Sequence, residues 1–282
     1  MLRFTRGIQV QDRRSPHSAS ALLEAVEQSP KAVAVHDKSA WVGLFAADGQ
    51  VNDPVGSTPH VGTAAIGRFF DTFIAPNTIE FDVQQDVVAG MSVLRDLTVR
   101  TTMSTGVTLH IPMHLRYDLI SAGPDSELKI QRLFAHWELQ KMIGQLLSSG
   151  GRGLLASAIL GPQLIRHQGF SGSAGFLRGL AGVRKRGKRR VVDLVAALAQ
   201  ADTVAVSSLL APNPTLSLDG VTETSVAEFT STAQHLEVEK LLAAGHTVSA
   251  TVHLDGRRGV GLFEFSHDAA HRGALSAVRL YI

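Results

Sequence analysis

The stretch Leu44–Phe70, LFAADGQVNDPVGSTPHVGTAAIGRFF, sets the architecture of the chain. QVND reads as a short strand, and Asp53 is expected to be extended because Pro54 follows it. Gly56, Ser57 and Pro59 then turn the chain. Gly62 and Thr63 open a helix on which Ile66, Phe69, Phe70 and Phe73 share a face. An aspartate between an apolar run and a Gly-rich turn has two readings. It shapes the turn, or it holds a carboxylate at the mouth of an apolar pocket.

Upstream, SASALLEAVEQ (18–28) is amphipathic at helical spacing. Ser29 reads as a cap with Pro30 at the first position of a new helix, and HDKSAWVGLFA (36–46) continues the helical period. After Pro76 the period changes to two, in TIEFDVQQDVVAG (78–90), SVLRDLTVRTTM (92–103), VTLHIPMHLRYDLI (107–120) and LKIQRLFAHWEL (128–139). Helices followed by a bent antiparallel sheet make an α+β domain.

The 282 residues are 44% hydrophobic and 18% charged, a globular composition with room for two domains. The absence of cysteine excludes a disulfide framework and zinc sites of the Cys type, and suits a reducing, cytoplasmic setting. Residues 1–20 lack the apolar core of a signal peptide and read as a flexible arm. Between Lys141 and Arg190 lie ten of the 27 Lys and Arg residues, 11 of the 26 glycines and no acidic residue. Such a shift marks a linker, so the expected divisions are 1–20, 21–140, 141–190 and 191–282.

The turn Asp-Pro-Val-Gly-Ser-x-Pro, the helix start Gly-Thr-Ala-Ala-Ile and the later strand proline, Pro112, closely resemble the ketosteroid isomerases of the nuclear transport factor 2-like (SnoaL-like) superfamily, over roughly Ala21 to Gln140. The resemblance implies a cone of helices on a curved sheet around one apolar pocket, with no cofactor and no metal. In that family the aspartate of the turn is the general base that moves a proton between carbons beside a steroid ketone, and Asp53 occupies its position. The family is also a type case of a carboxylic acid kept neutral by an apolar site. Its two oxyanion donors, a tyrosine on the first helix and an acid two residues after the strand proline, fall here on Ser29 and His114. The implied activity is therefore a weak steroid delta-isomerase reaction with the His114 imidazole as substitute donor. Phe69, Phe70, Phe73, Pro112 and Trp137 are the implied substrate-binding residues.

Along the proline-containing strand, His110, Pro112, His114 and Arg116 alternate with Leu109, Ile111, Met113, Leu115 and Tyr117. The face carrying His114 is the cup or the solvent side. The face carrying Ile111, Met113 and Leu115 is expected to pack on another sheet, from a second copy in the chain or from another subunit. His110 and His114 stand about 13 Å apart along a strand, too far to share a metal by themselves. The only other tyrosine is Tyr281, and neither tyrosine lies on a first-domain helix.

The C-terminal part repeats the order helix, turn, strand, helix. LLAPNPTLSL (209–218) aligns with LFAADGQVND, which puts Leu218 where Asp53 stands. Four strand-like runs follow, so residues 191–282 read as a degenerate second domain without the base, and the whole chain as tandem cones. Glu264 faces the interior of that copy or the solvent. In AGFLRGLAGVRKRGKRR (174–190), Phe176, Leu177, Leu180 and Val183 share a helical side and precede a dense basic cluster. That pattern suits either an interfacial helix on an anionic membrane, at the inner membrane face, or basic helices packed on acidic surfaces of the same chain. LLASAIL is too short to span a bilayer, and few aromatics with no reader motif argue against nucleic acid. Two functions follow: an isomerase-like enzyme, or a noncatalytic module that carries an apolar ligand, steroid or lipid, to or from a membrane through the basic linker. Either one works as a homodimer or as a pseudo-dimer within the chain.

Overall fold

The computed structural model describes residues 8–11, 15–122, 127–151, 153, 155, 158, 166 and 174–282. Half of the expected N-terminal arm and most of the LLASAIL run lie outside these residues. A short strand, β1 (Ile8–Gln11), precedes α1 (Ala19–Ala34), which is capped by Ser18 through the amide of Ala21. The expected break at Ser29–Pro30 does not occur, and Pro30 sits inside α1. Proline removes one backbone bond there, but Val26, Ala32 and Val33 on both sides of it are buried, and that burial carries the helix through.

Asp37 caps α2 (Lys38–Gly43), after which come β2 (Phe45–Asn52) and β3 (His60–Val61). Gly62 takes a φ of 78° as the cap of α3 (Thr63–Phe69), a conformation that favours glycine, and a π-helical turn continues to Ile74. Four long strands follow: β4 (Asn77–Ala89), β5 (Ser92–Met103), β6 (Thr108–Ala122) and β7 (Glu127–His136). Then comes α4 (Leu139–Ser148). The sheet order is β1-β4-β5-β6-β7-β2-β3, with β2 parallel to β7. The helices cover its concave face, where Trp41 packs against Phe45, Phe69 and Phe70.

The C-terminal half contains α5 (Arg184–Ala199), α6 (Thr203–Leu209), β8 (Leu210–Ser217) and α7 (Val226–Thr232). Its remaining strands are β9 (Glu237–Ala244), β10 (Thr247–Leu254), β11 (Arg257–Phe265) and β12 (Leu275–Tyr281). Its order, β8-β12-β11-β10-β9, with β8 parallel to β12, is the order β2-β7-β6-β5-β4 of the first sheet. Both halves are thus mixed α+β units built on one topology. Leu218 follows β8 as Asp53 follows β2, and it packs against the second core.

The two sheets meet through their outer faces, in an apolar cluster of Val87, Ala89 and Leu94 with Val260, Leu262 and Tyr281. Beside it lies a buried polar network. His114 Nδ1 meets Ser249 Oγ at 2.8 Å and its Nε2 meets Thr251 Oγ1 at 3.1 Å. Asp96 accepts bonds from Thr251, Arg258 and Lys240. Gly56, in the turn after Asp53, also touches this half: a Cβ added there would lie 2.5 Å from the Cα of Gly245.

This arrangement corrects the expected register of β6. Ile111, Met113 and Leu115 point into the first domain, and the residues that pack on the second sheet are those of the His114 face. The outer face tolerates polar side chains because the second sheet supplies their hydrogen-bond partners.

The segment after residue 173 is drawn inward as well. Gly175 O accepts from the amide of Thr58 at 3.1 Å, and the ring of Phe176 stacks on Phe73 with centroids 5.2 Å apart. Leu180 packs on the first core and Val183 on the second, while Lys188 pairs with Glu138 at 2.6 Å. Of the four apolar residues expected to face a membrane, Leu177 alone is exposed, at 52%. No helix among the described residues is long and apolar enough to cross a bilayer.

Candidate active site

A cavity of about 160 Å³ lies between the helices and the concave face of the first sheet. Val99 and Thr101 of β5 and Leu109, Ile111, Met113 and Leu115 of β6 form its floor. Phe69, Phe73 and Phe176 close one side, and Met142 and Leu146 of α4 another. The walls are almost wholly apolar, and the few polar groups in them are correspondingly significant.

Asp53 is one. It ends β2, in a turn fixed by Asn52 Nδ2 donating to Ser57 O at 2.9 Å, Ser57 Oγ donating to Pro54 O at 2.7 Å, and Val55 N donating to Ala135 O at 2.9 Å. The Asp53–Pro54 peptide is cis. Trp137 Nε1 donates to Asp53 Oδ1 at 2.5 Å. Desolvation by the apolar wall pushes the carboxyl pKa up to about 6, against the opposing pull of the Trp137 hydrogen bond.

Tyr117 is another. Its side chain lines the same cavity from β6, as does Ser29, whose Oγ accepts from Trp41 Nε1 at 3.0 Å. Burial holds its phenol above the ordinary tyrosine pKa, and the Arg95 guanidinium pulls in the other direction. Arg95 is itself buried and clamped to Asp86 by bonds of 2.6 and 3.2 Å. The charge of Asp53 also acts on Tyr117. A neutral O–H donor and a carboxylate therefore share one apolar chamber. Sequence reasoning sought the phenol on a helix and passed over this residue. The available signal was that Tyr117 continues the apolar series Leu109, Ile111, Met113, Leu115.

Of the sequence-predicted residues, Asp53, Phe69, Phe73 and Trp137 come together at the cavity. Phe70 is buried beside Trp41 and does not line it. Pro112 is exposed on the opposite face of β6. His114 lies on that same face, 1% exposed within the inter-sheet network, so it is no donor to this cavity. Burial drives its pKa down to about 3 and keeps it neutral. Ser29, at the position of the missing helix tyrosine, lines the cavity with Tyr117 and accepts a hydrogen bond from Trp41. No group of three or more His, Asp or Glu side chains among the described residues could hold a metal ion.

Residues 26–123 match the family described as the SnoaL-like domain. This stretch is a SnoaL-like domain. Similar solved structures include a Δ5-3-ketosteroid isomerase from Mycobacterium sp., 23% identical over 43% of this chain and 95% of that one, with a TM-score of 0.38. Another is a Mycobacterium tuberculosis protein in complex with estradiol-17β-hemisuccinate, with the same identity, coverage and score. A third is an epoxide hydrolase of the LEH-like type from M. tuberculosis, 16% identical over 50% of this chain and 96% of that one, with a TM-score of 0.39. No curated protein matches the chain. The SnoaL-like match contains Asp53 and Tyr117 and ends before β7, so Trp137 joins the cavity from outside the matched residues.

Proposed function

We propose that the SnoaL-like domain binds a flat apolar ketone, steroid-like in character, and moves a proton between two of its carbons. Asp53 is the base. Its carboxylate takes a proton from the carbon beside the carbonyl, and the C–H electron pair passes into an enolate. Tyr117 donates its O–H hydrogen bond to the enolate oxygen. The carboxylic acid of Asp53 then returns the proton at the far end of the conjugated system, so the product is an isomer and the enzyme is regenerated. The observation that carries this reading is a carboxyl of pKa about 6 in an apolar cavity, poised to act as a base near neutral pH. An apolar chamber also strengthens the hydrogen bond made to the enolate.

The test is conversion of a β,γ-unsaturated ketosteroid to its conjugated isomer. Asp53→Asn keeps the shape of the carboxylate and removes the base, so turnover is expected to fall by roughly 10² or more. Wild-type protein that binds the steroid but gives no turnover would overturn the enzyme reading.

The second reading is a carrier of an apolar ligand, and cavity size bears on both readings. A cavity of about 150 Å³ takes a molecule the size of benzene, so 160 Å³ leaves room for about one ring. A steroid-sized ligand needs Phe176 displaced from Phe73. Phe176→Ala is therefore expected to speed binding of multi-ring ligands severalfold, read by stopped-flow fluorescence. Membrane association is not part of either reading, because Phe176, Leu180 and Val183 are packed within the chain.

A further inference from the structure

Between the two sheets, on the far side of β6 from Asp53, lies a second cavity of about 640 Å³. Neither the isomerase reading nor the carrier reading uses it. Three arginines line it, Arg116 from β6, Arg132 from β7 and Arg279 from β12, against a single lining acid, Glu264.

Each guanidinium has five N–H donors. Arg116 uses Nε on Asp118 at 2.7 Å, and Arg279 uses Nη1 on Glu264 at 2.5 Å. Arg132 is exposed and makes no hydrogen bond or ion pair with any described residue. Several donors therefore remain for an occupant. The groups converge on Arg116, which lies within electrostatic reach of Tyr281 and Glu264 and acts on His136. Tyr281 also feels Arg279.

His136 adds an independent sign. It is 5% exposed, lines the cavity, and its Nδ1 is buried with no hydrogen-bond partner. Buried polar atoms are ordinarily satisfied, so an unpaired one in a residue that lines a polar cavity calls for a partner. Tyr281, 1% exposed, brings a phenol to the same wall. Phe134, over which Arg116 lies at 5.6 Å, and Leu262 supply apolar surface.

We propose that this inter-sheet cavity is a second ligand site, which takes an oxyanion, carboxylate or phosphate, carried on a small apolar body. Guanidinium groups bind such anions bidentately, and Arg132 has its whole fork available. The site is independent of the Asp53 cavity, and its test reads binding alone.

The 282-residue chain is titrated calorimetrically with sodium benzoate and, separately, with inorganic phosphate, at constant ionic strength set by chloride. At least one is expected to bind saturably. Arg132→Gln, which disturbs no contact with a described residue, is expected to weaken that binding about tenfold or more with an unchanged melting temperature. Arg279→Gln is expected to weaken it too, and Asp53→Asn to leave it as it is. Preference for benzoate identifies a carboxylate with an apolar body, and preference for phosphate identifies a phosphate group. The proposal is overturned if neither anion saturates by about 10 mM, or if both arginine variants bind as tightly as the wild type.

Discussion

Trp137 holds Asp53 by one hydrogen bond of 2.5 Å from the indole Nε1 to Oδ1, and this bond opposes the desolvation that raises the carboxyl pKa. The active form of the base is the carboxylate. Turnover is therefore expected to rise with pH through about 6 and to level off above it. Trp137→Phe removes the donor, which favours the neutral acid, and moves the rise to higher pH by about one unit. A rise that stays in place in the variant would show that Trp137 does not set the titration.

The same shift has a consequence for stability. The folded carboxyl pKa is raised above the ordinary value of 3.8, so the native state binds the proton more tightly than the unfolded chain does. Stability from this group is full below pH 3.8, falls as pH rises to about 6, and stays low above that. Asn carries no charge. Asp53→Asn is therefore expected to be more stable than wild type by about 1–3 kcal/mol at pH 7, and equal to it near pH 3. Denaturant unfolding at the two pH values checks this. Equal stability at pH 7 would mean that the ionised carboxylate is well solvated in the fold.

Tyr117→Phe deletes one O–H from the cavity and leaves the ring in place. Turnover is expected to fall by roughly 10² to 10³ with ligand affinity little changed. Ser29→Ala, which removes the hydroxyl between Tyr117 and Trp41, is expected to cost less. An unchanged rate in Tyr117→Phe would remove the phenol from the chemistry.

His114 belongs to the inter-sheet network, so His114→Ala is expected to leave turnover intact and to destabilise the fold by about 2–4 kcal/mol, through a small void and an unpaired hydroxyl on Ser249, while Thr251 keeps its bond to Asp96. Acid should have a related effect. The folded pKa values of His114 and His136, about 3, lie below the unfolded 6.5, so stability is complete above pH 6.5 and is lost as pH falls towards 3. Asp96, which burial pushes up but the Lys240 ammonium and the Thr251 hydroxyl hold below its usual value, loses its contribution in the same direction. Thermal melts from pH 7 to 4 are expected to show a steep decline that His114→Ala flattens.

The strands and the Asp53 turn were legible because their signals are local: period-two alternation, Asp-Pro, and glycine at a helix start. The face of β6 was not. Alternation fixes which residues share a side, and polarity tells inside from outside only when one side is wet. Here both sides are covered, one by the apolar cavity and one by the second sheet. The His114 face read as cup or solvent because nothing local announces a partner more than 130 residues away. Tyr117 was missed because it shares the face of Ile111, Met113 and Leu115, which was expected to point outward onto another sheet. The uninterrupted α1 is a tertiary effect of the same kind, burial outweighing the local signal of Pro30.

The contact of Gly56 with Gly245 and the His114 network tie the two halves together inside one polypeptide. Surfaces that separate chains would have to find by diffusion are here joined by a tether, at an effective concentration in the millimolar range or above. Dilution cannot part them. The wall behind the Asp53 turn is thus present in every copy of the protein however scarce it is in the cell, and a flaw in that wall cannot be repaired by making more of the chain.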